Sequence, residues 1–162
     1  MLYDRLENNV SVTETGLNGR ISMAETITGG CLCGAVRYTV NGDIAFSGKC
    51  YCEDCRKTSA TGHGSVFAVP AQAVELTGKV TAYSKPGGSG NPITRRFCPV
   101  CGSRISSQGA ALPGLVLITA STLDDPEKFV SQMSIFTSRA PSWDQPPAGT
   151  PSFPEMPPPQ QH

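Results

Sequence analysis

Residues 29–40 read GGCLCGAVRYTV, and this stretch carries both signals that decide the fold. Cys31 and Cys33 are two apart, so in extended chain their thiols leave from one face. Directly after them, Val36, Tyr38 and Val40 recur at period two, the pattern of a half-buried strand. Two thiols leading into a strand make half of a tetrahedral metal site, and the other half must come from elsewhere.

The seven cysteines stand at positions 31, 33, 50, 52, 55, 98 and 101. An odd number in tight clusters suits metal ligation better than a disulfide framework. Cys98-Pro99-Val100-Cys101-Gly102 complements the first pair. In such a turn the sulfurs converge, backbone N–H groups point toward them, and Gly102 accommodates a positive φ. Cys31, Cys33, Cys98 and Cys101 thus read as a closed, structural zinc site. The plainer alternative is four buried cysteines acting as small hydrophobes, which the paired CxC and CPxCG spacing disfavours. Spacing alone does not fix the pairing, so a site built from Cys50, Cys52, Cys98 and Cys101 stays open.

Residues 50–55, CYCEDC, hold the remaining three. Cys50 and Cys52 share a face and Cys55 returns from the following turn. Three ligands with an exchangeable fourth position are the pattern of a catalytic zinc. All-sulfur ligation keeps the ion soft and favours a thiolate in that position, and a zinc-bound thiol is deprotonated. Three other readings compete: an inert cysteine cluster, a structural site completed by His63, and a Cys52/Cys55 redox pair. The last lacks the surrounding βαβ pattern. Ser59, His63 and water are the candidate proton donors. Arg56 and Lys57 offset thiolate charge, meet a substrate carboxylate, or form a solvated surface pair. Trp143 either walls a pocket or joins the core.

Composition limits what surrounds these clusters. Seventeen glycines and 14 prolines in 162 residues suggest short strands and many turns. Net charge is zero, which leaves no basic stripe for nucleic acid and no lysine-rich membrane-surface helix. No apolar run reaches the ~18 residues that span a bilayer, and residues 1–22 lack a signal peptide's apolar centre. A cytoplasmic location follows, where thiols stay reduced.

The expected organisation is a flexible N-terminal extension over 1–22, a zinc-binding β domain over 23–140, and a proline-rich strap and tail over 141–162. The strap is expected to pack at least partly on the domain. Within the domain, AVRYTV and IAFSGKC read as strands around an Asn41-Gly42-Asp43 turn, with a short helical turn in EDCRKTSA. GSVFAVP is a strand ended by Pro70. Val74–Leu76 and Val80–Tyr83 read as a hairpin around Thr77-Gly78-Lys79, and SKPGGSGNP as a mobile loop. ITRRFC and SRISS flank the CPVCG turn, LVLIT is a buried strand, Asp125-Pro126 opens a short helix, and QMSIFT is the last strand. The class is mostly β, a single antiparallel domain with few short helices.

GGCLCGAVRYTV, CYCEDCRKTSA, RRFCPVCGSRI, LDDP and a late PSW, in that order from about Gly29 to Pro154, resemble the glutathione-dependent formaldehyde-activating enzyme family, which includes centromere protein V. The resemblance implies a β-tent fold with two zinc ions. It assigns Cys31, Cys33, Cys98 and Cys101 to the structural ion and Cys50, Cys52 and Cys55 to the catalytic one. It implies carbon–sulfur lyase-like chemistry on thiol–aldehyde adducts, of the kind that joins glutathione to formaldehyde. A non-catalytic, zinc-stabilised peptide- or protein-binding module is the alternative. Two departures stand out: Tyr51 replaces a histidine common between the first two middle cysteines, and TSATGHG replaces a more apolar segment. His63 therefore takes no role from the family.

Overall fold

A computed structural model describes residues 26–87 and 90–157; the reading of residues 1–22 lies outside them. Two sheets face each other. The smaller contains β1 (Ile27–Gly30), β2 (Arg37–Val40) and β5 (Val74–Thr77), in that order. The larger has eight strands: β3 (Phe46–Cys50), β4 (Gly64–Pro70), β6 (Thr81–Pro86), β7 (Pro92–Phe97), β8 (Arg104–Gly109), β9 (Leu115–Thr119), β10 (Met133–Ile135) and β11 (Ser152–Phe153). Their spatial order is β11-β10-β3-β4-β9-β8-β7-β6. One α-helix, α1 (Glu53–Ser59), and four short 3-10 turns complete the described chain.

The period-two pattern that opened the reading is realised directly. Val36, Tyr38 and Val40 are 0–2% exposed and meet Phe67 and Val69 of β4, Ile105 of β8, and Val116 and Ile118 of β9 in one core. β4 and β9 are short apolar runs because both lie in the middle of the large sheet, in register with Phe67 opposite Ile118 and Val69 opposite Val116. β6, by contrast, lies at the open edge and is exposed along its length.

The mostly antiparallel β class is what the chain adopts, with a parallel edge: β10 runs parallel to β3, and β11 parallel to β10. QMSIFT is therefore not the last strand, since Ser152–Phe153 adds one beyond it. Two expected hairpins are corrected. After Asn41-Gly42-Asp43 the chain leaves the small sheet, so β2 pairs with β1 and β5 while β3 joins β4. At Thr77-Gly78-Lys79 it crosses again, and β5 pairs with β2 while β6 pairs with β7. Gly78 permits that crossing: its φ is +88°, and an added Cβ would overlap the Ala35 carbonyl oxygen. The expected mobile loop is shorter than read, because β6 and β7 pair out to Pro86 opposite Pro92.

Beyond β10, the proline-rich segment runs back over the domain. Ser134 N–H donates to the Pro151 carbonyl at 2.8 Å, and Ser138 N–H to the Pro154 carbonyl at 3.3 Å. Asp125 caps the Pro126–Lys128 turn, its side chain accepting from Glu127 N–H at 3.1 Å.

Candidate metal centres and the cleft between them

The cysteines fall into two groups, in each of which the sulfurs all lie within 4.8 Å of one another: Cys31, Cys33, Cys98 and Cys101, and Cys50, Cys52 and Cys55. The mixed set of Cys50, Cys52, Cys98 and Cys101 is divided between them. All seven are free thiols.

The four-sulfur group joins the two sheets. Its first pair lies in the β1–β2 connection, where Cys31 N–H donates to the Val36 carbonyl at 2.9 Å and Gly34 N–H to the Cys31 carbonyl at 3.1 Å. Its second pair lies in the β7–β8 turn, closed by Gly102 N–H on the Cys98 carbonyl at 3.0 Å, with Gly102 at φ +74°. Ser103 Oγ ties the two turns together by accepting from Leu32 N–H at 3.1 Å. Sulfur separations of 3.5 Å (Cys31–Cys33) and 3.7 Å (Cys33–Cys98) match the edge of a zinc–sulfur tetrahedron, about 3.8 Å for bonds of about 2.3 Å. Val36 N–H points at Cys31 Sγ from 3.2 Å. Hydrogen bonds from the Ser103 hydroxyl and backbone pull Cys101 down to about 5. Donor set, spacing and thiolate-directed N–H groups all fit zinc.

The three-sulfur group forms where β3 ends and α1 begins. Cys50 closes β3, opposite Gly64 of β4. Cys52 is the N-cap of α1, and its sulfur accepts from Cys55 N–H at 3.4 Å. Hydrogen bonds from the Cys50 and Cys55 thiols pull Cys52 down to about 2, while donating to Cys52 and Cys55, and then burial, pushes Cys50 well up. Only a cation lets all three sulfurs ionise together, and the all-sulfur donor set fits zinc or another soft ion. His63 is not in this group: its Nδ1 turns instead to Asp144 Oδ2 at 2.7 Å.

Between the two groups opens a cleft of about 510 Å³. Cys31, Leu32 and Ser103 bound it on the side of the four-sulfur group; Ser59, His63 and Ser65 bound it on the side of α1. The sulfurs of Cys50, Cys52 and Cys55 do not line it. The group meets the cleft through the C-terminal end of α1 and the loop that follows. Arg104 reaches across from β8, donating to Thr58 Oγ1 at 2.9 Å and to Ser59 Oγ at 3.4 Å. At the other side Arg37 pairs with Asp124 through both guanidinium nitrogens. Hydroxyls and charged groups share the walls about equally with apolar surface, an arrangement that can seat a ligand with both polar and apolar parts.

Several sequence candidates lie elsewhere. Lys57 pairs with Glu53 in solvent at 2.6 Å, and Arg56 Nε is buried. Trp143 is 69% exposed and is in neither the cleft wall nor the core, contrary to both readings of it. Arg104, Asp144 and Asp54 were not singled out from sequence. Asp54 fastens α1 to the neighbouring hairpin through Lys85 at 2.8 Å and Arg95 at 2.9 Å. All three adjoin a recognisable motif: Arg104 lies two residues past Gly102, Asp54 inside CYCEDC and Asp144 directly after PSW.

The sequence profile described as "Glutathione-dependent formaldehyde-activating enzyme" matches residues 26–139. The chain belongs to this family. A Halomonas elongata relative named "Putative glutathione-dependent formaldehyde-activating enzyme" is 29% identical over 125 residues, covering 72% of this chain and 78% of that protein. A crystal structure of a Rhodobacter sphaeroides protein aligns with a TM-score of 0.51 at 18% identity, covering 78% of this chain and 98% of that one, and supports the fold. No helix among the described residues is long and apolar enough to cross a membrane.

Proposed function

We infer that this family member catalyses the reversible joining of a small thiol to an aldehyde, glutathione and formaldehyde being the pair its family suggests, and works as a carbon–sulfur lyase in reverse. The observation that carries the reading is the three-sulfur group, complete without a fourth protein donor among the described residues and adjoining the cleft. Cys50, Cys52 and Cys55 hold the zinc at the reacting end; Cys31, Cys33, Cys98 and Cys101 hold the structural zinc in the β-tent. When bound at the three-sulfur group, zinc supplies Lewis acidity and favours the ionised thiol.

The chain's own residues do the rest. Arg104 and the hydroxyls of Thr58 and Ser59 bind the polar body of the thiol substrate. Its carboxylates meet the guanidinium, and its sulfur is directed toward the end of α1. Seven cysteines grouped for metal ligation suit a reducing compartment, and the cytoplasm is the proposed location.

The test pairs zinc counting with an exchange assay. The wild type is expected to carry two zinc ions per chain, one leaving readily to a mild chelator, and to accelerate glutathione–formaldehyde exchange followed by NMR. Cys52→Ser is expected to keep one zinc and lose the acceleration. Thiol-dependent acceleration that survives this substitution removes the three-sulfur group from the mechanism. Two equally inert zincs without acceleration favour a binding module.

A further inference from the structure

The loop after α1 and the proline-rich segment meet at one point, His63 and Asp144, 81 positions apart in sequence. The 2.7 Å contact between Nδ1 and Oδ2 is shielded, with side chains 16% and 18% exposed. Tyr51, wholly buried, packs its ring against the imidazole at a centroid distance of 5.2 Å. Thr61 Oγ1 donates to the same carboxylate oxygen at 3.4 Å. Asp144 is set by a turn in which its N–H donates to the Pro141 carbonyl at 3.0 Å. Gly62 makes the approach possible, because an added Cβ would overlap Asp144 Oδ2 and stand 2.7 Å from its Cγ. A loop histidine left to solvent has no such surroundings. A carboxylate on Nδ1 fixes the Nδ1–H tautomer and leaves the Nε2 lone pair free. His63 lines the cleft, and Nε2 has no hydrogen-bond partner among the described residues.

The geometry assigns proton transfer in the thiol–aldehyde reaction to His63, as a catalytic residue, and its orientation to Asp144, as a positioning residue. This assignment rests on the function proposed above. In the addition direction Nε2 takes the thiol proton as sulfur bonds to the carbonyl carbon. The C=O π pair moves to oxygen, and Nε2 returns the proton there. Thiol and aldehyde become a hydroxyalkyl thioether, with nothing oxidised or reduced and no further reactant consumed. The lyase direction runs the same transfers backward.

His63→Gln, Asp144→Asn and Cys52→Ser are compared with wild type by zinc content, thermal melting, glutathione–formaldehyde exchange and long-range ¹H–¹⁵N NMR of the imidazole. The chain has two histidines, so His63→Gln assigns the spectrum. His63→Gln is expected to keep both zincs and lower kcat by ~10²-fold or more, with KM within about threefold. Asp144→Asn is expected to move the ring toward the Nε2–H tautomer and lower kcat by at least ~10-fold. An unchanged tautomer in Asp144→Asn overturns the positioning role. A zinc lost from His63→Gln makes His63 a ligand and overturns the proton role. If His63→Gln keeps wild-type kcat while Cys52→Ser is inactive, this assignment fails and the reaction stands. A wild type without acceleration removes both.

Discussion

Replacing Gly78 with alanine tests the point at which the chain changes sheets. Two separable costs arise. A non-glycine residue held at φ +88° costs about 1–2 kcal/mol, offset by about 0.4–1 kcal/mol from stiffening the unfolded chain. The second cost is steric. The new Cβ would overlap the Ala35 carbonyl oxygen and stand 3.0 Å from both Ala35 C and Val36 Cα. Those neighbours are backbone and cannot rotate away. They also belong to the connection whose Val36 N–H points at Cys31 Sγ. Overpacking of this kind costs about 1–3 kcal/mol, giving a total loss of about 1–5 kcal/mol. Gly114 is the internal control: its φ is +77°, with nothing within 4 Å of an added Cβ. Gly114→Ala should lose about 1 kcal/mol or less. At about 2–4 °C per kcal/mol for a chain of this size, the overpacking that separates the two variants should make them differ in Tm by roughly 2–12 °C. Differential scanning calorimetry of the zinc-loaded proteins measures this. Equal melting temperatures would show that Ala35 yields freely and that Gly78 does not enforce the crossing.

Two further perturbations probe the attachment of the small sheet. Tyr38→Phe removes the 3.1 Å contact between the phenol and Thr122 Oγ1. Because Thr122 Oγ1 donates to the Thr119 carbonyl at 2.7 Å, the phenol is the donor, and burial, which pushes its pKa up to about 12, keeps it protonated. Urea unfolding should show a loss of about 1 kcal/mol. Asp124→Asn weakens the pairing with Arg37, whose side chain is 45% exposed against 43% for Asp124, so the loss at pH 7 should stay below about 1 kcal/mol. Arg37 holds the Asp124 carboxyl below its ordinary value, so this stability is present above about pH 3.9 and lost as pH falls through the depressed value. The difference between wild type and variant, in which any metal release is common to both, should narrow over that window by circular dichroism.

The cysteine half-sites were legible because each is local: a CxC before a strand and a CPxCG turn each aim two sulfurs with no help from distant chain, whereas which halves join is a long-range matter that spacing left open and only the family resemblance divided. The core strands were legible for the same reason, since period two at Val36, Tyr38 and Val40 fixes which face turns inward. Turn chemistry also reads locally, and there it misled. Asn41-Gly42-Asp43 and Thr77-Gly78-Lys79 do turn the chain, but a turn specifies a change of direction rather than the strand that follows as partner. β4 is buried along most of its length and lies inside the large sheet, with β3 on one edge and β9 on the other. The contact between His63 and Asp144 was out of reach altogether. It depends on a proline-rich segment returning along the β10 edge, and on Gly62 leaving room for a carboxylate from that segment.

The two cysteine groups also differ in what a bound ion would hold together. The four-sulfur group spans both sheets, with Cys33 and Cys98 65 positions apart and 3.7 Å between their sulfurs. An ion there closes a long loop and so removes much of the unfolded chain's freedom, and its binding energy is folding energy. The three-sulfur group draws its ligands from one strand end and the first turn of the adjoining helix. An ion there closes almost no loop, while α1 is already fastened by Asp54 to Lys85 and Arg95. Little of the fold would depend on an ion there, which is what the proposed reacting role requires. Under the proposed function, mild chelation should therefore remove the ion at Cys50, Cys52 and Cys55 first and leave the one at Cys31, Cys33, Cys98 and Cys101 in place.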